Sequence, residues 1–395
     1  MKVLMINVTC GIGSTGRICT DVALELEKQG HEVKIAYGRD CDLEKYSKYA
    51  VKIGTSIDVK LHALFARIFD SSGFGSKSAT RKFIKWVEEY NPDVIHLHNI
   101  HGYYINVEIL FDYLKKSNKK IVWTLHDCWA FTGHCAHFSF VNCYKWKKQC
   151  CNCLQKSVYP SSLVFSSAKR NYNKKKIAFT GVKNLSIITP SKWLAALTKE
   201  SFLKEYPTTV INNGIDIGVF RNTESDILTK YGISDKKIVL GVANNWGERK
   251  GFDDFIELSK KLPDEYKIVM IGLTLQQMKD IPNNIFGIEK TSSVDELVAW
   301  YSAADVFVNT TYEDTFPTVN LEAQACGTPV ITYKTGGSTE SVPPENVVEQ
   351  GDLNALENRI KLFCEQDYKN KFVCDSAKYD RAVFFRKYVQ LYDLE

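Results

Sequence analysis

The chain has 395 residues, of which 44% are hydrophobic and 25% are charged. These proportions exclude a disordered or fibrous chain, and the length predicts two or three domains. The net charge of +5 conceals an asymmetry: up to Pro190 there are 28 Lys and Arg against 15 Asp and Glu, whereas the remainder has 23 against 31. We expect the two halves to meet different partners, although a solvated lysine-rich surface explains the same charge.

The first series of predicted elements alternates short apolar runs with amphipathic segments. Its strands are predicted at 2–8, 33–37, 94–98 and 120–125, and its helices at 17–29 and 80–90. This alternation is typical of a parallel sheet covered by helices.

A second series of the same kind follows the apolar run 185–189. Its strands are predicted at 208–211, 238–242, 266–271, 306–308 and 329–332, and its helices at 253–261, 294–303 and 319–325. The predicted boundary is near 190, which gives an N-terminal domain over 1–190 and a C-terminal domain over 191–375. The remaining segment, 376–395, contains an aromatic-rich helix predicted over about 376–393, and we expect this helix to pack on the first domain.

The termini and the cysteine content indicate a compartment. The apolar stretch 1–8 is too short for the core of a signal peptide, and no run approaches the roughly 18 apolar residues that span a bilayer. The sequence therefore predicts a cytoplasmic protein, and its basic half predicts peripheral contact with anionic lipid at the inner face of the plasma membrane. In that compartment the twelve cysteines are expected to be thiols or metal ligands.

The segment 127–156 fits neither series and is predicted to be an excursion from the first domain. It contains Cys135, Cys143, Cys150 and Cys153 with the spacing C-x7-C-x6-C-x2-C. Four thiolates suffice for a structural zinc site, which can fold a loop with little core of its own. Free thiols are the alternative interpretation.

The segment 312–331 places acidic residues between a predicted strand and a predicted helix. The first amides of a helix attract anions, so the helix start at Thr318 and Val319 is suited to a diphosphate. Glu322 can accept hydrogen bonds from two ribose hydroxyls, and Asp314 is expected near a sugar. The alternative is that these carboxylates are a helix cap and a solvated side chain.

Two further loops follow predicted strands. Arg249 and Lys250 come shortly after the strand 238–242, although a Lys-Gly pair that opens a helix is common. The run Gly11-x-Gly13-x-x-Gly16, with Asp40 after the next strand, fits a dinucleotide fingerprint and supports an NAD-dependent oxidoreductase as an alternative.

The segment 312–331 resembles the donor-binding motif of retaining glycosyltransferases of family 4, in particular bacterial colanic-acid or capsule-type enzymes. In that family two glutamates are separated by seven residues. Asp314, directly after Glu313, stands at the position of the first, and Glu322 at that of the second. Both Glu313 and Asp314 are therefore candidates for donor binding, and either of them can be the residue that approaches the sugar. Phe316 and the tail 323–331 also match, so the resemblance implies donor binding by this loop and helix.

The resemblance extends over nearly the whole chain. Lys250 matches a family lysine on the donor diphosphate, whereas Asn245 occupies the position of its arginine partner. Either Arg249 replaces that charge, or backbone N–H groups supply one of the phosphate contacts. The loop around Gly13 is similar to one that approaches the donor phosphate or the acceptor. His126 resembles the histidine that touches the donor sugar or orients the acceptor; a purely structural histidine at a strand end is the alternative.

The family resemblance implies two Rossmann-like domains facing across a cleft, the GT-B fold, with a C-terminal helix that crosses back to the first domain. It implies retaining transfer from a nucleoside diphosphate sugar to a saccharide or polyprenyl-diphosphate-linked acceptor in surface polysaccharide synthesis, with no catalytic metal and no nucleic acid. The departures at Asn245 and Asp314 leave a non-catalytic sugar-nucleotide-binding protein as a second alternative.

Overall fold

Buried apolar strands alternate with helices along the computed structural model, which describes residues 1–365, 369, 372 and 374–392. The strands form two sheets in which neighbouring strands are parallel. The chain divides into two units: the first contains Met1–Asn212 and the described residues from Phe385 onward, and the second contains Asn213–Phe384. The predicted α/β class is confirmed.

The first unit contains a seven-stranded sheet with the order β3-β2-β1-β4-β5-β6-β7. Its strands are β1 Lys2–Asn7, β2 Glu32–Tyr37, β3 Ala50–Lys52, β4 Val94–Leu97, β5 Lys120–Thr124, β6 Leu185–Thr189 and β7 Thr208–Val210. Its helices are α1 Gly13–Lys28, α2 Leu43–Tyr46, α3 Ser56–Phe69, α4 Lys77–Tyr90, α5 Val107–Lys116, α6 Ala168–Phe179 and α7 Lys192–Glu200. The central strands are apolar on both faces because helices cover both sides of the sheet.

The second unit contains a six-stranded sheet with the order β10-β9-β8-β11-β12-β13. Its strands are β8 Lys237–Val242, β9 Tyr266–Ile271, β10 Ile285–Ile288, β11 Val306–Asn309, β12 Val330–Tyr333 and β13 Val347–Val348. Its helices are α8 Ile227–Lys230, α9 Phe252–Lys261, α10 Leu275–Asp280, α11 Val294–Ala303, α12 Thr318–Ala325 and α13 Leu353–Glu365. The strand order reverses between β8 and β11, and doubly wound folds bind ligands at the carboxyl ends of such strands.

The boundary between the units differs from the predicted one. The strand predicted at 208–211 belongs to the first sheet, because β7 pairs with β6 through Ile187, Ile188 and Thr189. The first part of the chain therefore continues to Asn212 rather than ending at 190. Helix α7 connects these two parallel strands as one βαβ crossover, which the prediction divided between two domains.

The excursion 127–156 is not a loop without a core. The side chains of Trp129, Phe131, Phe138 and Trp146 are fully buried in the main apolar cluster of the first unit. The burial of these large rings stabilises the segment through the hydrophobic effect. A metal is therefore not required to account for its fold.

The last described helix, α14, covers Arg381–Tyr392 and follows a 3-10 turn at Ser376–Tyr379. It starts later than predicted, and the predicted end at 393 lies outside the described residues. Tyr388 and Tyr392 are buried in the first unit, where the Tyr392 hydroxyl forms a hydrogen bond with Nδ1 of His96.

Across the described parts of the chain, we find no helix with both the length and the apolar character needed to cross a bilayer.

Candidate active site

The loop between β11 and α12 is the centre of the candidate site in the second unit. Strand β11 is buried along its length and ends at Asn309. Helix α12 begins at Thr318 after Pro317, and no side chain caps its first amides. Unpaired amides at a helix start, together with the helix dipole, attract anions. The loop 310–317 therefore leads directly into an anion-attracting helix start.

A basic 3-10 turn, Glu248–Lys250, lies against this loop. The Thr310 hydroxyl donates to the Lys250 carbonyl oxygen at 3.0 Å, and the Tyr312 N–H donates to the Arg249 carbonyl oxygen at 2.9 Å. Gly251 follows with a φ of +70°, and a Cβ on it would lie 2.4 Å from the Thr310 carbonyl oxygen. Glycine is needed here because only its backbone allows both this conformation and this approach.

The two loops bring opposite charges together. The Lys250 ammonium lies 2.7 Å from Oδ2 of Asp314, and an Arg249 guanidinium nitrogen donates to the Glu313 carbonyl oxygen at 2.9 Å. The side chains of Lys250 and Asp314 remain partly exposed, whereas Glu313 is buried. The structure thus groups four of the predicted site residues and presents Asp314, rather than Glu313, beside the lysine.

Glu322 is partly exposed on α12, and its partner comes from α11. The hydroxyl of the fully buried Tyr301 donates to Oε2 of Glu322 at 3.0 Å. Burial and the neighbouring Glu322 carboxylate raise the pKa of Tyr301 well above its ordinary value, so Tyr301 keeps its proton as a donor. Sequence reasoning missed Tyr301, because an aromatic residue in an amphipathic helix looks like any other core residue.

A glycine-containing turn, Gly336–Ser341, supports the backbone of Asp314. The Gly337 N–H donates to the Asp314 carbonyl oxygen at 3.1 Å, and a Cβ on Gly336 would lie 2.0 Å from that oxygen. The turn is joined to α12 through Asn320, whose amide nitrogen donates to the Ser341 hydroxyl at 2.8 Å. The acidic loop is therefore held from two sides.

The other residues predicted in this loop and helix have mixed environments. Phe316 is buried in a small apolar cluster with Ile215 and Leu321, so its ring anchors the loop to that cluster. Val319 packs partly against the apolar core of the second unit. Thr318 is the first residue of α12 and is partly exposed.

The glycine-rich loop of the first unit joins β1 to α1. Gly13 is the first residue of α1, with a φ of +69° and no heavy atom within 4 Å of where its Cβ would lie. Gly16, by contrast, packs against Thr9, whose hydroxyl would lie 2.7 Å from a Cβ. Gly16 is thus required by packing, whereas the space beside Gly13 is open to a ligand.

His126 lies at the carboxyl end of β5 beside His98, which follows β4. Nε2 of His126 is 3.0 Å from Nδ1 of His98. Burial lowers the pKa of His126 to about 4 and that of His98 well below its ordinary value, so both rings are neutral near pH 7. In a second pair, Nε2 of His101 lies 2.8 Å from Oδ2 of Asp127. All four of these side chains line one small cavity. Sequence reasoning did not identify this second pair.

The four cysteines predicted to bind zinc lie near one another, because Cys135 interacts electrostatically with Cys150 and Cys153, and Cys150 with Cys143. Cys135 and Cys153 form a side-chain hydrogen bond with each other, Cys150 accepts from the Gly133 N–H at 3.2 Å, and Cys143 packs on the apolar core. Within residues 1–365, 369, 372 and 374–392, no three His, Cys, Asp or Glu side chains are placed to hold a metal ion. The structural zinc therefore stays a prediction.

The chain has two α/β units, and each contains a sheet of parallel strands with loops of the candidate site at the carboxyl ends of its central strands. This architecture defines a protein of the GT-B glycosyltransferase class. Over its whole length the fold is similar to a sucrose-phosphate synthase from Thermosynechococcus elongatus, with a TM-score of 0.71, 16% identity and coverage of 99% and 98% of the two chains. It is also similar to HepE from Anabaena, solved in complex with UDP, with a TM-score of 0.69, 16% identity and 99% coverage of each chain.

The sequence comparisons identify the family. Residues 15–219 match the model of Glycosyltransferase Family 4, and residues 224–379 match that of Glycosyl transferases group 1. The chain belongs to Glycosyltransferase Family 4 and is a glycosyltransferase. The alternative interpretation as an NAD-dependent oxidoreductase is therefore excluded. It is 23% identical over 393 residues to the putative colanic acid biosynthesis glycosyl transferase WcaC of Escherichia coli, with 92% of each chain covered.

Proposed function

We propose that this enzyme transfers a sugar from a nucleoside diphosphate sugar to a saccharide or polyprenyl-diphosphate-linked acceptor, with retention of the anomeric configuration, in surface polysaccharide synthesis. The observation that carries the proposal is the Lys250–Asp314 pair beside the uncapped start of α12. The cation and the helix start complement the negative charge of a diphosphate, and the carboxylate can accept hydrogen bonds from sugar hydroxyls.

The diphosphate would be bound by Lys250, Arg249 and the first amides of α12. During transfer, the bond between the anomeric carbon and the diphosphate oxygen breaks, and its electron pair passes to the diphosphate. The acceptor hydroxyl oxygen bonds to the anomeric carbon, and its proton passes to the departing diphosphate oxygen. Positive groups fixed beside the leaving oxygen stabilise this charge more in the transition state than in the bound donor, which accelerates the reaction.

Glu322 is proposed to accept hydrogen bonds from the ribose hydroxyls of the donor. Its carboxylate is partly exposed and already receives the Tyr301 hydroxyl on Oε2. A buried donor of this kind fixes the orientation of a carboxylate. Tyr301 is therefore a positioning residue for Glu322.

Asp314, rather than Glu313, is proposed to approach the sugar. Its side chain is partly exposed beside Lys250, whereas that of Glu313 is buried and its carbonyl oxygen receives Arg249. Substitution of the more usual glutamate by the shorter aspartate preserves the charge and reduces the reach by one methylene group.

In the first unit, Gly13 and His126 are proposed to contact the donor or the acceptor. The open space beside Gly13 allows the backbone to approach a phosphate or a sugar closely. The neutral imidazole of His126 can donate or accept a hydrogen bond to a sugar hydroxyl.

The relatives support the donor and the pathway class. HepE is described in complex with UDP, and WcaC is named as a putative colanic acid biosynthesis enzyme. We propose a cytoplasmic location for the enzyme, with peripheral contact of its basic part with the inner leaflet, where a lipid-linked acceptor would be reached.

The experiment that tests the proposal is release of nucleoside diphosphate from UDP-, GDP- and ADP-sugars by the wild type, Glu322→Ala and Lys250→Ala. We expect one donor to be used and both substitutions to lower its turnover at least about tenfold, or 1.4 kcal/mol of transition-state stabilisation. If no nucleoside diphosphate is released from any of these donors, either alone or with a cell extract added as a source of acceptor, a non-catalytic binder would be favoured. An inverted anomeric configuration in the product, measured by NMR, would overturn retention.

A further inference from the structure

We propose that α3 and the segment beside its end form a surface that docks on an anionic lipid membrane. Six exposed side chains, which we call the apolar face, form its centre: Leu61, Leu64, Phe65, Phe69, Leu163 and Phe165. Leu64 and Phe65 are 52% and 53% exposed, and Leu163 is 70% exposed. Folded proteins seldom leave large apolar side chains grouped in this way unless the surface binds something.

The apolar face is continuous across two segments of the chain. The Leu163 N–H donates to the Arg67 carbonyl oxygen at 2.7 Å, and the Phe165 N–H donates to the Ile68 carbonyl oxygen at 3.1 Å. These bonds fix the segment 163–165 against the end of α3. The ring of Phe165 then stacks on that of Phe69 with centroids 5.8 Å apart, and Phe69 stacks on Phe65 at 6.1 Å.

Helix α3 is apolar on two sides, although only one side faces the protein. His62 and Ala66 are buried on the inner side, whereas Leu61, Leu64 and Phe65 follow the helical repeat on the outer side. A helix that is apolar around most of its circumference is normally buried. The outer side of α3 is therefore suited to an apolar environment that lies outside the described chain.

The charges around the apolar face are positive. Lys60 and Arg67 are exposed on α3, Arg170 donates to the Phe69 carbonyl oxygen at 3.2 Å, and Lys156 donates to the Val164 carbonyl oxygen at 3.2 Å. Asp70, the nearest carboxylate in sequence, is buried and paired with His134 at 2.6 Å. The rim of the face thus carries four cations. The partly exposed carboxylate in these segments, Asp58 at the start of α3, accepts hydrogen bonds from the Thr55 N–H and hydroxyl.

The wider sequence reinforces this asymmetry. From 128 to 199 there are twelve Lys and Arg and no Asp or Glu. An apolar centre with a basic rim is complementary to the acyl boundary and the headgroups of an anionic leaflet. A second copy of this chain would instead place one basic rim against another, which is unfavourable. Charge complementarity therefore favours lipid over self-association.

The use of this surface in catalysis rests on the proposed lipid-linked acceptor, whereas binding to lipid does not. Docking through α3 would hold the first unit at the leaflet in which such an acceptor lies. This surface belongs to the first unit and the charged loops belong to the second, so different substitutions test membrane binding and donor turnover.

The experiment compares wild type with Leu64→Ser/Phe65→Ser by co-sedimentation with vesicles of phosphatidylcholine alone and of phosphatidylcholine mixed with phosphatidylglycerol. The matched control is Ile177→Ser/Leu275→Ser, which removes two exposed aliphatic side chains elsewhere. We expect binding to the anionic vesicles that falls with salt, falls at least about tenfold in the α3 variant and stays within about twofold in the control.

Two outcomes would overturn the inference: no binding of the wild type to anionic vesicles at low salt, or equal binding by the α3 variant. Sedimentation velocity tests a second explanation, in which the apolar face is a contact between two copies of the chain. That explanation would be supported if the wild type is a dimer, the α3 substitutions dissociate it, and neither protein binds vesicles. Donor turnover in the absence of vesicles should be equal in all three proteins. Its absence in all of them would contradict the proposed function while leaving the docking surface intact.

Discussion

The ammonium group of Lys250 lies 2.7 Å from a carboxylate oxygen of Asp314, and the two side chains are 21% and 19% exposed. Ion pairs in contact with solvent contribute only about 0–1 kcal/mol, so this pair is easily opened. When a donor binds, the lysine can turn to the diphosphate while the aspartate remains beside the sugar. The pair therefore predicts different consequences for the loss of each partner.

Lys250→Met should weaken binding of the donor's nucleoside diphosphate by at least about tenfold, because a charge-assisted contact is lost. Asp314→Asn should leave that affinity unchanged or improve it, since a negative charge near the phosphates is removed, and should lower sugar transfer. Calorimetric binding and turnover assays check both. Lys334→Met, which removes an exposed ion pair with Glu349 at 2.7 Å, is the control. Equal loss of affinity in Lys250→Met and Asp314→Asn would contradict this division of roles.

Loss of the Tyr301–Glu322 hydrogen bond is predicted to weaken nucleotide binding less than loss of the Glu322 carboxylate itself. Tyr301→Phe removes one hydrogen bond worth about 1 kcal/mol, so affinity should fall about fivefold, whereas Glu322→Ala should cost at least about tenfold. Tyr231→Phe is a matched control, because the Tyr231 hydroxyl donates to Glu296 at the same distance, 3.0 Å, in the same unit. An equal effect of the two tyrosine substitutions would mean that Tyr301 acts only through stability.

The sequence was sufficient for the fold class but not for the assignment of every strand to a sheet. Strand β1 is an apolar run followed by a glycine-rich turn, and this pattern specifies a buried parallel strand before a helix. The three residues of β7, in contrast, contain no information about which strand they pair with. The boundary was therefore predicted before α7 although β7 belongs with β6.

The candidate site shows the same limit. Lys250, Asp314 and Glu322 can be recognised as candidates because they are charged residues in or just after the loops that follow buried strands, and their roles stay predictions. Tyr301 and the turn at Gly336–Ser341 contribute through contacts between distant segments, and no local pattern distinguishes them from ordinary core or turn residues.

The segment that contains the predicted zinc ligands also contains large aromatic residues, and the cysteine spacing by itself gives no sign of how deeply they are buried. Trp129, Phe131, Phe138 and Trp146 supply the apolar core that a metal was expected to replace.

Gly13 provides a test of ligand approach to the first unit. Gly13→Ala and Gly30→Ala both place a side chain at a positive φ, +69° and +81°, with open space around the new Cβ. Both should lose about 1–2 kcal/mol of stability from backbone strain, as measured by urea unfolding. Only Gly13→Ala should also reduce transfer by about tenfold or more, since a methyl group would displace a closely bound donor or acceptor. Equal activity in the two variants would exclude close approach at Gly13.

His62 predicts how the free energy of unfolding depends on pH. Its Nε2 accepts hydrogen bonds from the N–H groups of Gly73 and Gly75 at 3.2 and 3.1 Å, so this nitrogen must be unprotonated. Burial lowers the pKa of His62 from 6.5 to about 4. Between these values the unfolded chain binds a proton that the folded chain does not, so stability falls as the pH drops through 6.5 and levels off below 4.

His62→Gln retains an acceptor but cannot be protonated in this range. The variant should be less stable than wild type above pH 7, and the difference should narrow by about 2 kcal/mol on going to pH 5, because only the wild type loses the His62 contribution. Urea unfolding at several pH values measures this difference directly. A difference that stays constant from pH 7 to pH 5 would show that His62 is protonated equally in both states, and the hydrogen bonds from Gly73 and Gly75 would then have to be absent in solution.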